Sequence, residues 1–133
     1  MGDLSQHFST HEFACPHCGQ TKISGKLIDA LEKLHAMGPE PIIVLSGYRC
    51  PEHNAEIGGA PHSEHMEGIA ADIKIQGLTL QRQYDRAMQV PEFAQGGIGV
   101  YDGKFLHVDV RDGKARWARK GGVYLGIDTL VNV

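Results

Sequence analysis

Phe105-Leu106-His107-Val108-Asp109-Val110 alternates two kinds of residue at the period of a β-strand. Leu106, Val108 and Val110 fall on one face, suited to a core, while His107 and Asp109 share the other face with Phe105. Upstream, Ile69 to Ile75 reads the same way: Ile69, Ala71 and Ile73 point to one side, Ala70, Asp72 and Lys74 to the other. Ile98 to Tyr101 and Phe105 to Val110 flank Asp102-Gly103, a hairpin signal. Pro41 to Ser46 (PIIVLS) is a continuous apolar run that suits a buried strand and is too short for a helix, and a further short strand is expected from Arg116. Between these lie helix signals. Ser9-Thr10-His11-Glu12 fits a capping box. Ser24 can cap a helix with Leu27, Ile28, Leu31 and Leu34 on one face, stopped by Gly38-Pro39. Leu78 to Val90 predicts a helix with Thr79 as N-cap and Leu80, Tyr84, Ala87 and Met88 as its apolar side. Cys50 to Ile57 suits one or two helical turns, followed by a glycine- and histidine-rich loop over 58–68. The order of elements predicts an α+β fold: a small antiparallel sheet, helices packed on one side, and an open face for a site.

The chain has 133 residues, the length of a single domain, and we read 1–133 as one. At 41% hydrophobic and 22% charged it resembles an ordinary globular protein. No run of 18 apolar residues exists, so no membrane span is expected. A net charge of −3 without a basic stripe argues against nucleic acid as a partner. The first residues, MGDLSQHFSTHEF, lack the basic and apolar regions of a signal peptide, so synthesis in the cytoplasm is expected, as a monomer. Glycine (17) and histidine (8) are abundant, which suggests a loop-built site with metal or proton chemistry.

His65, Asp72 and His107 supply two imidazoles and one carboxylate. That set suits a catalytic zinc, which takes three protein ligands and keeps a fourth position open. The metal would polarise a carbonyl and acidify a water molecule. The three cysteines cannot all pair within one chain. Cys15-x2-Cys18 and Cys50-x2-His53 form two half-sites that suit a second, structural zinc, with His17 able to replace His53. The other readings are three buried small residues, or a disulfide with one thiol left over. Trp117, with Arg116 and Arg119, is read as closing the edge of the core. His7, His11, His35 and His62 are read as solvated or locally satisfied.

Ser63-Glu64-His65-Met66-Glu67-Gly68-Ile69-Ala70-Ala71-Asp72 fits S-x-H-x-x-G-x-A-x-D, and this resembles the M15 zinc peptidases, the D-Ala-D-Ala carboxypeptidase and endolysin family. Ser46-Gly47-Tyr48-Arg49, His107-Val108-Asp109, His7-Phe8-Ser9 with Glu12-Phe13, Gly58-Gly59 and Gly97-Ile98-Gly99-Val100-Tyr101 resemble the same family in order, from about residue 5 to Trp117. The resemblance implies a hedgehog/DD-peptidase-like fold and a zinc-dependent peptidase acting on peptidoglycan stem peptides, as a carboxypeptidase or an endolysin-type endopeptidase. It implies zinc on His65, Asp72 and His107. It implies Arg49 as the arginine that holds a substrate carboxylate or polarises the peptide carbonyl, with Ser63 and Asn54 as substrate contacts. A phage lysin of this kind would reach the cell wall through a holin or by virion delivery. One departure matters: where several relatives carry an acid three residues before the last histidine, this chain has Lys104. The general base is then Asp109, which shares a strand face with His107, or Asp102 beside the hairpin turn; Asp109 equally suits an orienting role behind a histidine ligand. The missing acid also suits the alternative of a non-catalytic, zinc-stabilised binding or phage structural module.

Overall fold

The structure, a computed structural model, describes residues 4–58, 63–121 and 123–126. Six strands form one sheet: β1 (Ile42–Ser46), β2 (Ala70–Ile75), β3 (Gly97–Tyr101), β4 (Phe105–Asp109), β5 (Ala115–Lys120) and β6 (Val123–Leu125). Their order is β1-β2-β4-β3-β5-β6. Neighbours run antiparallel except β3 and β5, which pair in parallel. That exception follows from occupancy. β4 is flanked by β2 and β3, and β1 covers the outer side of β2, so the chain leaving β4 joins beyond β3.

One face of the sheet is the core. Ala71, Ile73, Ile98, Val100, Leu106, Val108 and Ala118 are all fully enclosed. Against it pack α1 (Gly25–His35), α3 (Leu80–Met88) and α4 (Pro91–Ala94), while the short α2 (Pro51–Glu56) follows β1. Leu27, Ile28, Leu31 and Leu34 form the buried stripe of α1, and burying each such side chain stabilises the fold by about 1.5–3 kcal/mol. The helix starts lie where the caps place them: Ser24 accepts from Lys26 N–H and Thr79 from Arg82 N–H. At the 3-10 turn Thr10–Phe13 the Glu12 carboxylate accepts the Ser9 N–H at 2.7 Å.

Three expectations are corrected. The helix expected over Leu78 to Val90 is shorter and is followed by a separate turn. Val90 is extended (φ −90°, ψ 113°) because Pro91 follows it, and Pro91 opens α4. β1 is not buried on both sides; it is an edge strand with Ile43 and Leu45 exposed, since nothing among the described residues covers that face. In the β3–β4 hairpin Tyr101 pairs with Phe105, and the left-handed residue is Lys104 (φ 63°) rather than Gly103. This is a three-residue loop ending in αL, not a two-residue turn.

The apolar side of α3 also hides a polar residue. Gln83 is fully buried; its Oε1 accepts the Ile75 N–H at 3.1 Å, and its Nε2 donates to Leu78 O at 3.1 Å and Lys104 O at 3.3 Å. One side chain thus joins the end of β2, the start of α3 and the hairpin. Gln83→Leu keeps the volume but strands these backbone groups. It should destabilise the protein by about 1–3 kcal/mol, read as a lower urea midpoint at unchanged slope; an unchanged midpoint would show that the amide does not tie these segments.

Candidate metal centre

Cross-strand register builds the site. Ser46 of β1 pairs with Asp72 of β2, Asp72 with His107 of β4, His107 with Gly99 of β3, and Gly99 with Trp117 of β5. Paired residues point to the same side of a sheet, so this row crosses the face opposite the core. His65 comes from outside the sheet, on the 3-10 turn Glu64–Glu67. Ser63 Oγ accepts the His65 N–H at 3.2 Å and so caps that turn. Gly68 closes it at φ 73°, where a Cβ would run into the Lys22 carbonyl.

Asp72 Oδ1 lies 3.2 Å from His65 Nε2 and 3.3 Å from His107 Nδ1. The far nitrogen of each ring faces a group that can only accept. His65 Nδ1 is 2.7 Å from the Gly47 carbonyl, and His107 Nε2 is 2.7 Å from Asp109 Oδ2. Each far nitrogen therefore carries the proton. In the neutral rings the near nitrogens then present lone pairs toward a carboxylate oxygen. Three electron-rich atoms converging in a buried place repel one another unless a cation or a proton sits among them. Zinc bonds of about 2.0–2.1 Å at tetrahedral angles set ligand atoms about 3.3 Å apart, which is the spacing of Asp72 Oδ1 from each ring, and all three atoms lie within 4.8 Å of one another. The residues present fit the metal.

Without the ion, protons do this work. Burial opposes the charged form of His107, but Asp109 and Asp72 outweigh it and push the imidazole up to about 9. Burial would raise the Asp72 carboxyl, yet the hydrogen bonds and charge of His107 and His65 hold it well below the usual carboxylate range. Asp109 is lowered likewise, with His107 and Arg111 overcoming its burial.

Asp109 is fully enclosed behind His107. Its Oδ1 accepts from Gly97 N–H (2.8 Å), Arg111 N–H (3.1 Å) and Arg111 Nε (2.9 Å); its Oδ2 takes Arg111 Nη2 at 2.7 Å besides His107. Arg111 Nη2 also bonds Glu64 Oε1 at 2.8 Å. Such a carboxylate is placed to hold a ring, and Asp109 is not among the residues that line the cleft. Asp102 is exposed at the hairpin end of the cleft, where it accepts the Gly121 N–H at 2.9 Å.

The cleft over this row has a volume of about 770 Å³. Arg49 enters it from the segment after β1, its N–H bonded to the His65 carbonyl at 3.2 Å and its Nη1 to the buried Asn54 Oδ1 at 3.4 Å. Arg49 Nε has no protein acceptor among the described residues. Trp117 belongs to this face, not to the core: it is half-buried, 5.1 Å from the His107 ring, with its Nε1 on Tyr101 Oη at 3.2 Å. It fits because Gly99 has no side chain; a Cβ there would strike the indole, and one at Gly97 would strike the Asp109 carboxylate. The alternate glycines of Gly97-Ile98-Gly99 thus make room for the Asp109 carboxylate and the Trp117 indole, while Arg111 and Glu64 are the site residues that the reading of residue types missed. His62 and Gly59 lie outside the described residues.

The three cysteines also meet. Cys15, Cys18 and Cys50 have sulfurs within 4.8 Å of one another, all as free thiols. His53 gives Cys50 Sγ its backbone N–H, whereas the ring nitrogen beside that sulfur, at 3.5 Å, is His17 Nδ1.

Residues 6–109 match the Peptidase M15 family. The zinc D-Ala-D-Ala carboxypeptidase of Streptomyces albus G is 38% identical over 85 residues, a match that covers 62% of this chain and 32% of that protein. The aligned part thus spans about a third of that relative. The family match alone runs through Arg49, His65, Asp72 and His107 to Asp109, and on that ground the chain belongs to the Peptidase M15 family.

Proposed function

We propose that this protein is a zinc-dependent peptidase that removes the terminal D-Ala from peptidoglycan stem peptides. The observation that carries the reading is the convergence of His65 Nε2, Asp72 Oδ1 and His107 Nδ1, whose other ring nitrogens are already committed to acceptors. The name of the Streptomyces relative supports the bond chosen. No helix among the described residues is long and apolar enough to cross a membrane.

His65, Asp72 and His107 would hold the ion. Zinc supplies a Lewis acid that polarises the scissile carbonyl and acidifies a water molecule. Asp109, locked by Arg111 and Gly97, keeps the His107 ring turned so that Nδ1 faces the ion. Arg49 offers a planar fork of donors, one edge steadied by Asn54, suited to the free carboxylate of a terminal D-Ala. Ser63 acts on the site by capping the turn that carries His65. We assign proton transfer to Glu64, which lines the cleft next to His65 and has an oxygen within 4.8 Å of a His107 ring nitrogen. Trp117 and Tyr101 supply an apolar floor.

Digestion of pentapeptide muropeptides, read by mass spectrometry, should release one D-Ala, and EDTA or His107→Ala should abolish it. Cleavage at an interior bond would make the protein an endopeptidase. Zinc-loaded protein that leaves all muropeptides intact would make it a binding or structural module. Glu64→Gln should lower kcat about 10²–10⁴-fold with zinc retained; a loss seen only in Asp102→Asn would move the proton-transfer role to the hairpin.

Asp109→Asn should lower zinc affinity or activity about 10–100-fold, measured by competition with a chelating dye; unchanged affinity would remove the orienting role.

The metal-free protein should show a specific pH dependence. His107 is raised, so its stabilising contribution is complete below its ordinary 6.5 and is lost as the pH rises through about 9. Asp72 and Asp109 are lowered, so their contributions are present above their ordinary 3.8 and are lost only in acid. The urea midpoint of EDTA-stripped protein should therefore fall between pH 6.5 and about 9, while zinc, which displaces the proton, removes that decline. A flat metal-free profile would contradict the pairing.

A further inference from the structure

We infer that Cys15, Cys18, Cys50 and His17 form a second zinc site, separate from the cleft, that clamps the N-terminal segment to the stretch carrying Gly47 and Arg49. The sulfur spacings carry it: the Sγ atoms of Cys15, Cys18 and Cys50 lie within 4.8 Å of one another. Cys15 Sγ and Cys50 Sγ are 3.7 Å apart, far beyond a disulfide bond of about 2.05 Å. Two thiolates on one tetrahedral zinc, with bonds of about 2.3 Å, sit about 3.8 Å apart; a thiolate and an imidazole nitrogen sit about 3.6 Å apart. His17 Nδ1 is 3.5 Å from Cys50 Sγ.

The backbone is shaped for thiolates. Cys15-Pro16-His17-Cys18-Gly19 folds into a tight turn, with Gly19 N–H on Cys15 O and Cys15 N–H on Gln20 O, both at 2.8 Å, and Gly19 at φ 75°. The turn aims the N–H groups of His17 and Cys18 at Cys15 Sγ, and the Cys50 N–H joins them at 3.5 Å. The His53 N–H points at Cys50 Sγ at 3.4 Å. N–H donors around sulfur stabilise the charged form that binds metal. Cys18 and His17 are exposed, so an ion can enter and the ring can close on it.

The position explains why such a clamp is useful. Cys50 follows Arg49 directly. Tyr48 N–H is bonded to Phe13 O at 2.8 Å, and Gly47 packs so closely on Phe13 that a Cβ would lie 2.5 Å from its Cα. Gly47 O in turn takes the proton of His65 Nδ1. An ion bridging 15–18 to Cys50 therefore fixes both ends of the segment that orients His65 and presents Arg49.

The test is metal content and cobalt spectroscopy on the full chain purified under reducing conditions, with a second portion isolated without reductant for disulfide mapping. Wild-type protein should carry two zinc ions per chain. The double variant His65→Ala/His107→Ala should keep one, and its cobalt(II) form should show sulfur-to-metal charge transfer in the near ultraviolet. Cys18→Ser, at an exposed position, should lose that band and one zinc while its far-ultraviolet dichroism is unchanged. A single zinc in wild type that disappears with His65 and His107 would overturn the proposal. So would a cobalt form without sulfur charge transfer, or a Cys15–Cys50 disulfide found by mass spectrometry in the protein as isolated. Failure here leaves the peptidase reading intact, and inactivity toward muropeptides leaves this site intact.

Discussion

Asp72 faces two imidazole nitrogens at 3.2 and 3.3 Å, and the rest of the molecule is arranged around keeping those three groups together. Left to themselves a carboxylate and two lone pairs would separate. Strand register prevents it for Asp72 and His107, which are partners in adjacent strands. The capped turn after Ser63 prevents it for His65, whose Nδ1 is tied to Gly47 O. These tethers are strand pairing and hydrogen bonds within the protein itself.

The open face is kept open by absence of side chains as much as by their presence. Gly97 and Gly99 lie on the same face as His107 and Asp109, and the space they leave is filled by the Asp109 carboxylate and the Trp117 indole. Arg111 then stands over the indole at 5.2 Å while gripping Asp109 and Glu64. Core and site are thus two sides of the same four strands. The apolar side, with Val100, Leu106 and Val108 enclosed, holds the register on which the polar side depends.

Electrostatics links the centre to its support. Asp109 lies next to His107 without facing the cleft; with Asp72 it raises the His107 imidazole, and its hydrogen bond fixes which way the ring is turned. The second cluster, around Cys15 and Cys50, stands at the other end of the Gly47–Arg49 segment. The two clusters share that segment, which bonds to Phe13 O through Tyr48 N–H and to His65 O through Arg49 N–H.

Much of this was legible in the residues themselves. Alternation put His107, Asp109 and Asp72 on the polar faces of their strands, caps marked the starts of α1 and α3, and the S-x-H-x-x-G-x-A-x-D run singled out His65 and Asp72. These are local patterns with fixed periods, which is why they could be read without coordinates. What only the tertiary structure decided depends on which strands become neighbours. Register enclosed Asp109 behind the His107 ring. It carried Trp117 to the cleft over Gly99, left β1 as an edge with Ile43 and Leu45 in solvent, and buried Gln83 in three hydrogen bonds. It also brought Cys50 to within 3.7 Å of a sulfur 35 residues away. No period along the chain encodes such meetings; they arise because pairing one strand with another fixes both the partner and the face of every side chain on it.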